Sequence, residues 1–286
     1  KKVTDKTLII GEKISTKHKF IEVPFVKIAK ELGNKIYSNV IAAGMVAGIL
    51  NIEEELMFNY IKKHFSKYGE EIIEKNIEAA RKGYEIGSTV NIKISIKKEE
   101  AIKDHIIMTG TEAVALGSIG GGCNFISSYP MSPGTGVLTF LAKHCKDFGI
   151  IVEQAEDEIG AINMSAGAWC AGGRAMVTTS GGGFALMSEG VSLTGIMEIP
   201  MVIHIAQRPG PATGVATRTL QGDLELALYS GHGDFPRIIF APTGIEDAFY
   251  LSARAFNMAD KYQVPVFILT DQFLVDSYYN INMDKL

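Results

Sequence analysis

Cys123-Asn124-Phe125-Ile126-Ser127-Ser128-Tyr129-Pro130-Met131-Ser132-Pro133-Gly134-Thr135-Gly136 is a short apolar run, then small polar residues, then the start of a helical pattern. The same order returns at Glu153-Gln154-Ala155-Glu156-Asp157-Glu158-Ile159-Gly160, at Thr178-Thr179-Ser180-Gly181-Gly182-Gly183-Phe184, and at Val202-Ile203-His204-Ile205-Ala206-Gln207-Arg208-Pro209. Strand, turn and helix in repetition predict an α/β fold. Strands are expected near 124–128, 150–154, 175–179, 201–206, 236–240 and 265–270. Most are continuous apolar runs, so the sheet should be covered on both faces, as in a doubly wound, mostly parallel sheet. Ligands in such sheets bind outside the carboxyl ends of the strands, where these polar turns gather.

Outward from that core, Thr109-Gly110-Thr111-Glu112 has the spacing of a capping box and opens the second domain, placed at 99–286. Residues 1–98 read as a smaller mixed α/β segment. Leu8 to Gly11 and Phe20 to Val23 look like strands, and Pro24 starts a helix that Gly33 ends. Further helices are expected at Ile36–Leu50, Glu53–Phe65 and Glu70–Tyr84, the first with Ala42, Ala43, Gly44, Ala47 and Gly48 permitting close helix approach. Val90 to Lys97 alternates apolar and polar side chains, the period of a half-buried strand, and Lys97 to Glu100 forms a charged hinge.

The chain has 286 residues, 47% hydrophobic and 21% charged, with a formal net charge of -4. This is the composition of an ordinary globular protein, with no basic stripe to suggest a nucleic-acid partner. The longest uncharged run, Asn39 to Ile52, is short of the roughly 20 residues that span a bilayer, and glycines interrupt it. No apolar leader follows Lys1, so a cytoplasmic location is expected, and the absence of an initiator Met suggests a piece of a longer gene product. Three cysteines, Cys123, Cys145 and Cys170, form neither a disulfide framework nor a metal spacing.

The glycine turns miss the dinucleotide spacing, and no Walker A or nucleophile-elbow sequence occurs, so an ordinary nucleotide-dependent enzyme or hydrolase is disfavoured. The Gly181 to Phe184 backbone reads equally as a phosphate cradle or as a tight turn. Glu158 heads a helix of small and apolar residues, Ile159 to Ala168, that should be buried. An acid there is desolvated and suited to proton exchange with a ligand, or is simply favoured by the helix dipole. Arg208, at the end of a central strand, either points a planar fork at an anionic substrate group or makes a structural salt bridge to the acidic segment. His204 reads as a satisfied core residue.

Taken together these segments resemble the α subunit of the 2-oxoacid:ferredoxin oxidoreductases, of the type with a γ domain fused ahead of α. Tyr129-Pro130-Met131-Ser132-Pro133 resembles the family's Tyr-Pro-Ile-Thr-Pro motif, Glu156-Asp157-Glu158 its cofactor-activating segment, and Gln207-Arg208 its substrate arginine. Ser132 stands where the family more often has Thr. Residues 1–98 look like the C-terminal part of a γ-type domain, and 99–286 like the pyrimidine-binding domain of a thiamine diphosphate enzyme.

The resemblance implies oxidative decarboxylation of a 2-oxoacid, 2-oxoglutarate favoured, to acyl-coenzyme A with electrons passed to ferredoxin. Glu158 would be catalytic through the aminopyrimidine ring. Tyr129, Pro130 and Glu158 would contact the cofactor, and Ser132 and Arg208 would hold the substrate carboxylate. No residue here is assigned to a metal. The diphosphate site, its Mg2+ and a 4Fe–4S cluster would lie on a partner β subunit, making a soluble hetero-oligomer with no membrane partner, active only when complete. A branched-chain 2-oxoacid such as 3-methyl-2-oxobutanoate, and a non-catalytic assembly subunit, are the alternatives.

Overall fold

A computed structural model describes residues 3–4, 7–92, 94, 96 and 99–286. Contacts divide the chain into two compact units, Lys1–Glu100 and Ala101–Leu286.

In the first unit, β1 (Leu8–Gly11) and β2 (Lys19–Glu22) pair in parallel, and four helices follow: α1 (Phe25–Glu31), α2 (Ser38–Ile49), α3 (Glu54–His64) and α4 (Glu70–Thr89). The small residues of α2 have the expected effect. A Cβ on Gly44 or Gly48 would collide with the α4 backbone at Ala80 and Tyr84, and one on Gly83 or Gly87 with the α2 backbone at Ile41 and Met45. The two helices are therefore in backbone contact, which only glycine permits at these four positions. The last helix runs past Tyr84 to Thr89 and ends where the alternating stretch begins. Val90 follows directly, its N–H on the Gly87 carbonyl at 3.1 Å, and the chain to Ile92 is irregular rather than a strand. Ile94 and Ile96 are not in a strand either, and Lys93, Ser95, Lys97 and Lys98, which complete that expected strand and part of the hinge, lie outside the described residues.

The second unit opens with β3 (His105–Thr109) and α5 (Gly110–Gly120), whose capping box is formed: Thr109 N–H donates to Glu112 Oε2 at 2.7 Å and Glu112 N–H to Thr109 Oγ1 at 3.2 Å. Then come β4 (Phe125–Ser128), α6 (Thr135–Lys143), α7 (Cys145–Phe148), β5 (Ile151–Gln154), α8 (Glu158–Cys170) and β6 (Ala175–Thr179). The chain continues through α9 (Gly181–Leu186), α10 (Ser188–Ile196), β7 (Met201–Gln207), α11 (Leu224–Tyr229), β8 (Ile238–Phe240), α12 (Ile245–Tyr262), β9 (Pro265–Asp271), α13 (Gln272–Asp276) and β10 (Tyr278–Asn282). Six strands form one sheet in the order β5-β4-β6-β7-β9-β8, all neighbours parallel. Every residue of β6 and β7 is buried, as their continuous apolar runs demand, whereas the edge strands β5 and β8 are partly exposed. Phe184 and Phe267 meet edge to face in the core at 5.4 Å.

The order reverses between β4 and β6, because β5 lies on one side of β4 and the rest of the sheet on the other. The strands part there. The β4–β6 ladder stops at Ile126 and Met176, while β4 stays paired with β5 to Ser128. Beyond the split, Ser128 Oγ accepts the Thr178 N–H at 2.9 Å in place of a backbone carbonyl. This is the crevice in which a doubly wound sheet receives a ligand.

Candidate active site

Four strand ends bring the expected residues to one edge of the sheet. From β4, Tyr129 to Gly134 folds back over β6, where Thr178 Oγ1 donates to the Gly134 carbonyl at 3.0 Å. Tyr129 is on the exposed side, Pro130 is half-buried and Ser132 is exposed. The same Thr178 hydroxyl lies 2.8 Å from His204 Nδ1, and His204 Nε2 lies 2.8 Å from Thr270 Oγ1. His204 is thus a fully satisfied core residue linking β6, β7 and β9, and burial pushes its pKa down to about 3.

After β5, Asp157 caps α8 by accepting the Gly160 N–H at 2.6 Å. The dipole-favoured role falls to Asp157, which frees the next side chain. Glu158 is only 3% exposed, and its Oε1 has no hydrogen-bond partner among the described residues. A buried carboxylate oxygen without a donor is rare enough to require an explanation. The helix itself is not buried all round. Ala161, Ile162, Ser165, Ala166 and Trp169 face the core, but Ile159, Asn163, Met164, Gly167 and Cys170 face outward. Its composition is apolar on both faces, and composition alone does not say which one the fold covers.

The glycine turn after β6 stands against Glu158. A Cβ on Gly183 would overlap Thr179 Oγ1 and come within 2.6 Å of Glu158 Oε1, so glycine keeps that oxygen reachable. The aminopyrimidine edge of thiamine diphosphate, where one proton would be shared between a ring nitrogen and a carboxyl oxygen, fits this acid and this cradle. Among the described residues no cluster of three or more His, Cys, Asp or Glu could hold a metal ion.

Arg208, just past β7, is 4% exposed. It donates from Nη1 to the Ser132 carbonyl at 2.7 Å, and from Nη2 to Met131 Sδ at 2.9 Å and Thr213 Oγ1 at 3.1 Å. Arg208 and Ser132 therefore do meet, but through the Ser132 carbonyl and not its hydroxyl. The alternative of a salt bridge to Glu156, Asp157 or Glu158 is not what forms; the acidic segment is not among its partners. Among the described residues, three of the five guanidinium donors are engaged.

One residue at this edge escaped the sequence reading. Asp223, ahead of α11, lies with its carboxylate against Gly181, where a Cβ would overlap it. Its N–H donates to Gln207 Oε1 at 3.0 Å, yet its Oδ2 is buried without a partner among the described residues. Gly222-Asp223-Leu224 looks like a helix start, and its side chain makes no cap hydrogen bond. That missing cap is visible only in three dimensions.

The fold and this edge define a doubly wound α/β domain with a ligand crevice at its switch point, a buried unpaired acid on one side and a buried guanidinium on the other. Residues 116–286 match the family model described as pyruvate flavodoxin/ferredoxin oxidoreductase, thiamine diphosphate-binding, and residues 4–86 match pyruvate ferredoxin/flavodoxin oxidoreductase. The 2-oxoacid:ferredoxin oxidoreductase subunit alpha of Saccharolobus solfataricus is 36% identical over 283 residues, 91% of this chain and 44% of the relative. The 2-oxoglutarate synthase subunit KorA of Archaeoglobus fulgidus is 40% identical over 168 residues, 59% of this chain and 49% of the relative. Among solved structures, the 2-oxoglutarate:ferredoxin oxidoreductase from Magnetococcus marinus with 2-oxoglutarate, coenzyme A and succinyl-CoA bound superposes with a TM-score of 0.86 at 35% identity, covering 96% of this chain and 50% of that one. The chain belongs to the pyruvate flavodoxin/ferredoxin oxidoreductase family. It spans about half the length of the curated relatives it matches.

Proposed function

We propose that this chain is part of the α subunit of a 2-oxoacid:ferredoxin oxidoreductase, with a γ-type unit at 1–98 and the pyrimidine-binding half of a thiamine diphosphate site at 99–286. The observation that carries the reading is Glu158 Oε1, buried and without a donor beside Gly183. Bound thiamine diphosphate supplies the carbon nucleophile and electron sink for 2-oxoacid decarboxylation, chemistry that no side chain can provide.

The chain's own residues bind, orient and hold protons. Glu158 accepts a hydrogen bond from the aminopyrimidine edge and so biases its protonation, a role that needs a carboxylate and not an amide. Tyr129 and Pro130 border the ring position at the end of β4. Arg208 directs a remaining donor and its charge at the substrate carboxylate, and the Ser132 turn, fixed to it by the 2.7 Å hydrogen bond, sets that guanidinium in place. Mg2+, the diphosphate anchor and a 4Fe–4S cluster belong to a β subunit, and coenzyme A and ferredoxin receive the acyl group and the electrons. The names of the relatives favour 2-oxoglutarate over branched-chain 2-oxoacids, and the intact Glu158, Ser132 and Arg208 favour an active over an assembly subunit. No described helix is long and apolar enough to cross a membrane.

The test is Glu158→Gln in the complete enzyme, assayed with 2-oxoglutarate, coenzyme A and a viologen acceptor. We expect kcat to fall by at least about 100-fold, as for loss of a general acid–base group, with the melting temperature nearly unchanged. Full activity in that variant would remove Glu158 from the mechanism.

A further inference from the structure

Two side chains hold the backbone of the turn after β4 from outside it. Arg208 donates to the Ser132 carbonyl at 2.7 Å, and two residues further on the Gly134 carbonyl accepts the Thr178 hydroxyl at 3.0 Å. The turn lies directly on β6 there, since a Cβ on Gly134 would stand 2.6 Å from the Thr179 carbonyl oxygen and 3.0 Å from Thr178 Oγ1. Behind Thr178 comes His204, and behind His204 comes Thr270, all three buried. The protons of this chain of contacts have one satisfactory order. A carbonyl only accepts, so the single Thr178 hydroxyl proton goes to Gly134. The 2.8 Å contact between Thr178 Oγ1 and His204 Nδ1 must then take its proton from the ring. Burial keeps the imidazole neutral, with its pKa pushed down to about 3, so Nε2 is bare and accepts the Thr270 hydroxyl proton at 2.8 Å. Three contacts are served by three protons. The reverse order puts the Thr178 proton on Nδ1. Two oxygens then face each other at 3.0 Å with no proton between them, and the Thr270 hydroxyl proton has no acceptor among the described residues.

Resting on the placement of the substrate carboxylate on Arg208, we propose that His204 is a positioning residue for that site: as the Nδ1–H tautomer it directs the Thr178 hydroxyl onto the Gly134 carbonyl, and so sets the turn whose Ser132 carbonyl aims the guanidinium. The ring is wholly buried and itself meets no substrate. It acts because an Nδ1–H can only donate, which leaves the Thr178 proton free for the turn. Loosening the turn costs orientation of the guanidinium, so substrate binding should suffer more than the chemical step.

The experiment compares variants of the complete enzyme, assayed with 2-oxoglutarate, coenzyme A and a viologen acceptor. His204→Asn puts an amide nitrogen near the Nδ1 position and can still donate to Thr178. His204→Gln, closer to histidine in volume, reaches the Nε2 position and serves Thr270 instead. His204→Gln and Thr178→Val should raise KM about fivefold or more with kcat within about twofold, whereas His204→Asn and Thr178→Ser should keep KM within about twofold of the wild type. A ring that only fills space predicts the opposite order for the two His204 variants, because asparagine leaves the larger cavity and the lower melting temperature. Equal KM in His204→Asn and His204→Gln, or a wild-type KM in Thr178→Val, overturns the inference. If a His204 variant does not fold, the Thr178 pair decides alone. Nitrogen-15 NMR of the histidine-labelled complete enzyme gives a readout other than activity: the ring signal lost on substitution of His204 should carry its proton on Nδ1, and a proton on Nε2 overturns the inference. An Arg208→Lys enzyme separates the premise. A wild-type KM there means that the carboxylate is not on Arg208, and the reading of the substrate site fails while the NMR signal still decides the tautomer.

Discussion

Arg208 shows how one side chain joins two strand ends. It reaches from β7 to the turn after β4 with a fork that lysine does not possess, and the same fork has donors to spare for an anion. Arg208→Lys should therefore lose a charge-assisted contact of about 1.5–3 kcal/mol, which is roughly ten- to a hundredfold in kcat/KM for every 2-oxoacid tested. A loss confined to one substrate would show that Arg208 reads the distal group instead. His204 makes a prediction about acid. Its folded-state pKa of about 3 lies below the ordinary 6.5, so the unfolded chain takes up a proton that the folded chain excludes. The stabilising contribution is complete above pH 6.5 and declines as the pH falls from there toward 3. Urea midpoints measured between pH 7 and pH 4.5 should fall more steeply for the wild type than for His204→Gln. Parallel slopes would mean that His204 is not the group responsible.

At the scale of elements, the glycine turn between β6 and α9 is the most demanding piece of backbone. Gly183→Ala drives a methyl group into Thr179 and Glu158, and should cost about 1–3 kcal/mol of stability together with thiamine diphosphate affinity. Gly182→Ala is the control, because a Cβ there meets nothing within 4 Å, and a melting scan of both separates the two positions. The six parallel strands were legible in the sequence, since buried central strands are written as unbroken apolar runs. So was the capping box, which is a local pattern. The positions of Glu158, Ser132 and Arg208 just past strand ends were legible, but not the contact of Arg208 with the Ser132 carbonyl. Arg208 could have paired with the acidic segment, and only the fold-back of the Tyr129–Gly134 turn decides for the Ser132 carbonyl. The pair β3 and β10 was missed because its partners are separated by the whole unit, and β3 was hidden in a stretch read only for the helix that follows. The error at Val90 has the opposite origin. Its alternation is genuine, but α4 continues to Thr89, and an alternating pattern needs a neighbouring strand before it becomes one.

At the scale of the molecule, the second unit holds the acid and the guanidinium of the proposed site but, in that reading, not the diphosphate anchor. The isolated chain should therefore bind thiamine diphosphate at least about tenfold more weakly than the complete enzyme does, measured by calorimetry in Mg2+. Equal affinity would place the whole site on this chain. The pairing of His105–Thr109 with Tyr278–Asn282, in antiparallel register from Thr109 opposite Tyr278 to His105 opposite Asn282, bears on a different matter. It brings the entrance and the exit of the second unit side by side, with the sheet and its crevice suspended between them as a closed ring. A body closed in this way has no preferred place in a longer polypeptide. It can be spliced behind one gene segment or ahead of another, or be re-cut at a surface loop with its old ends joined.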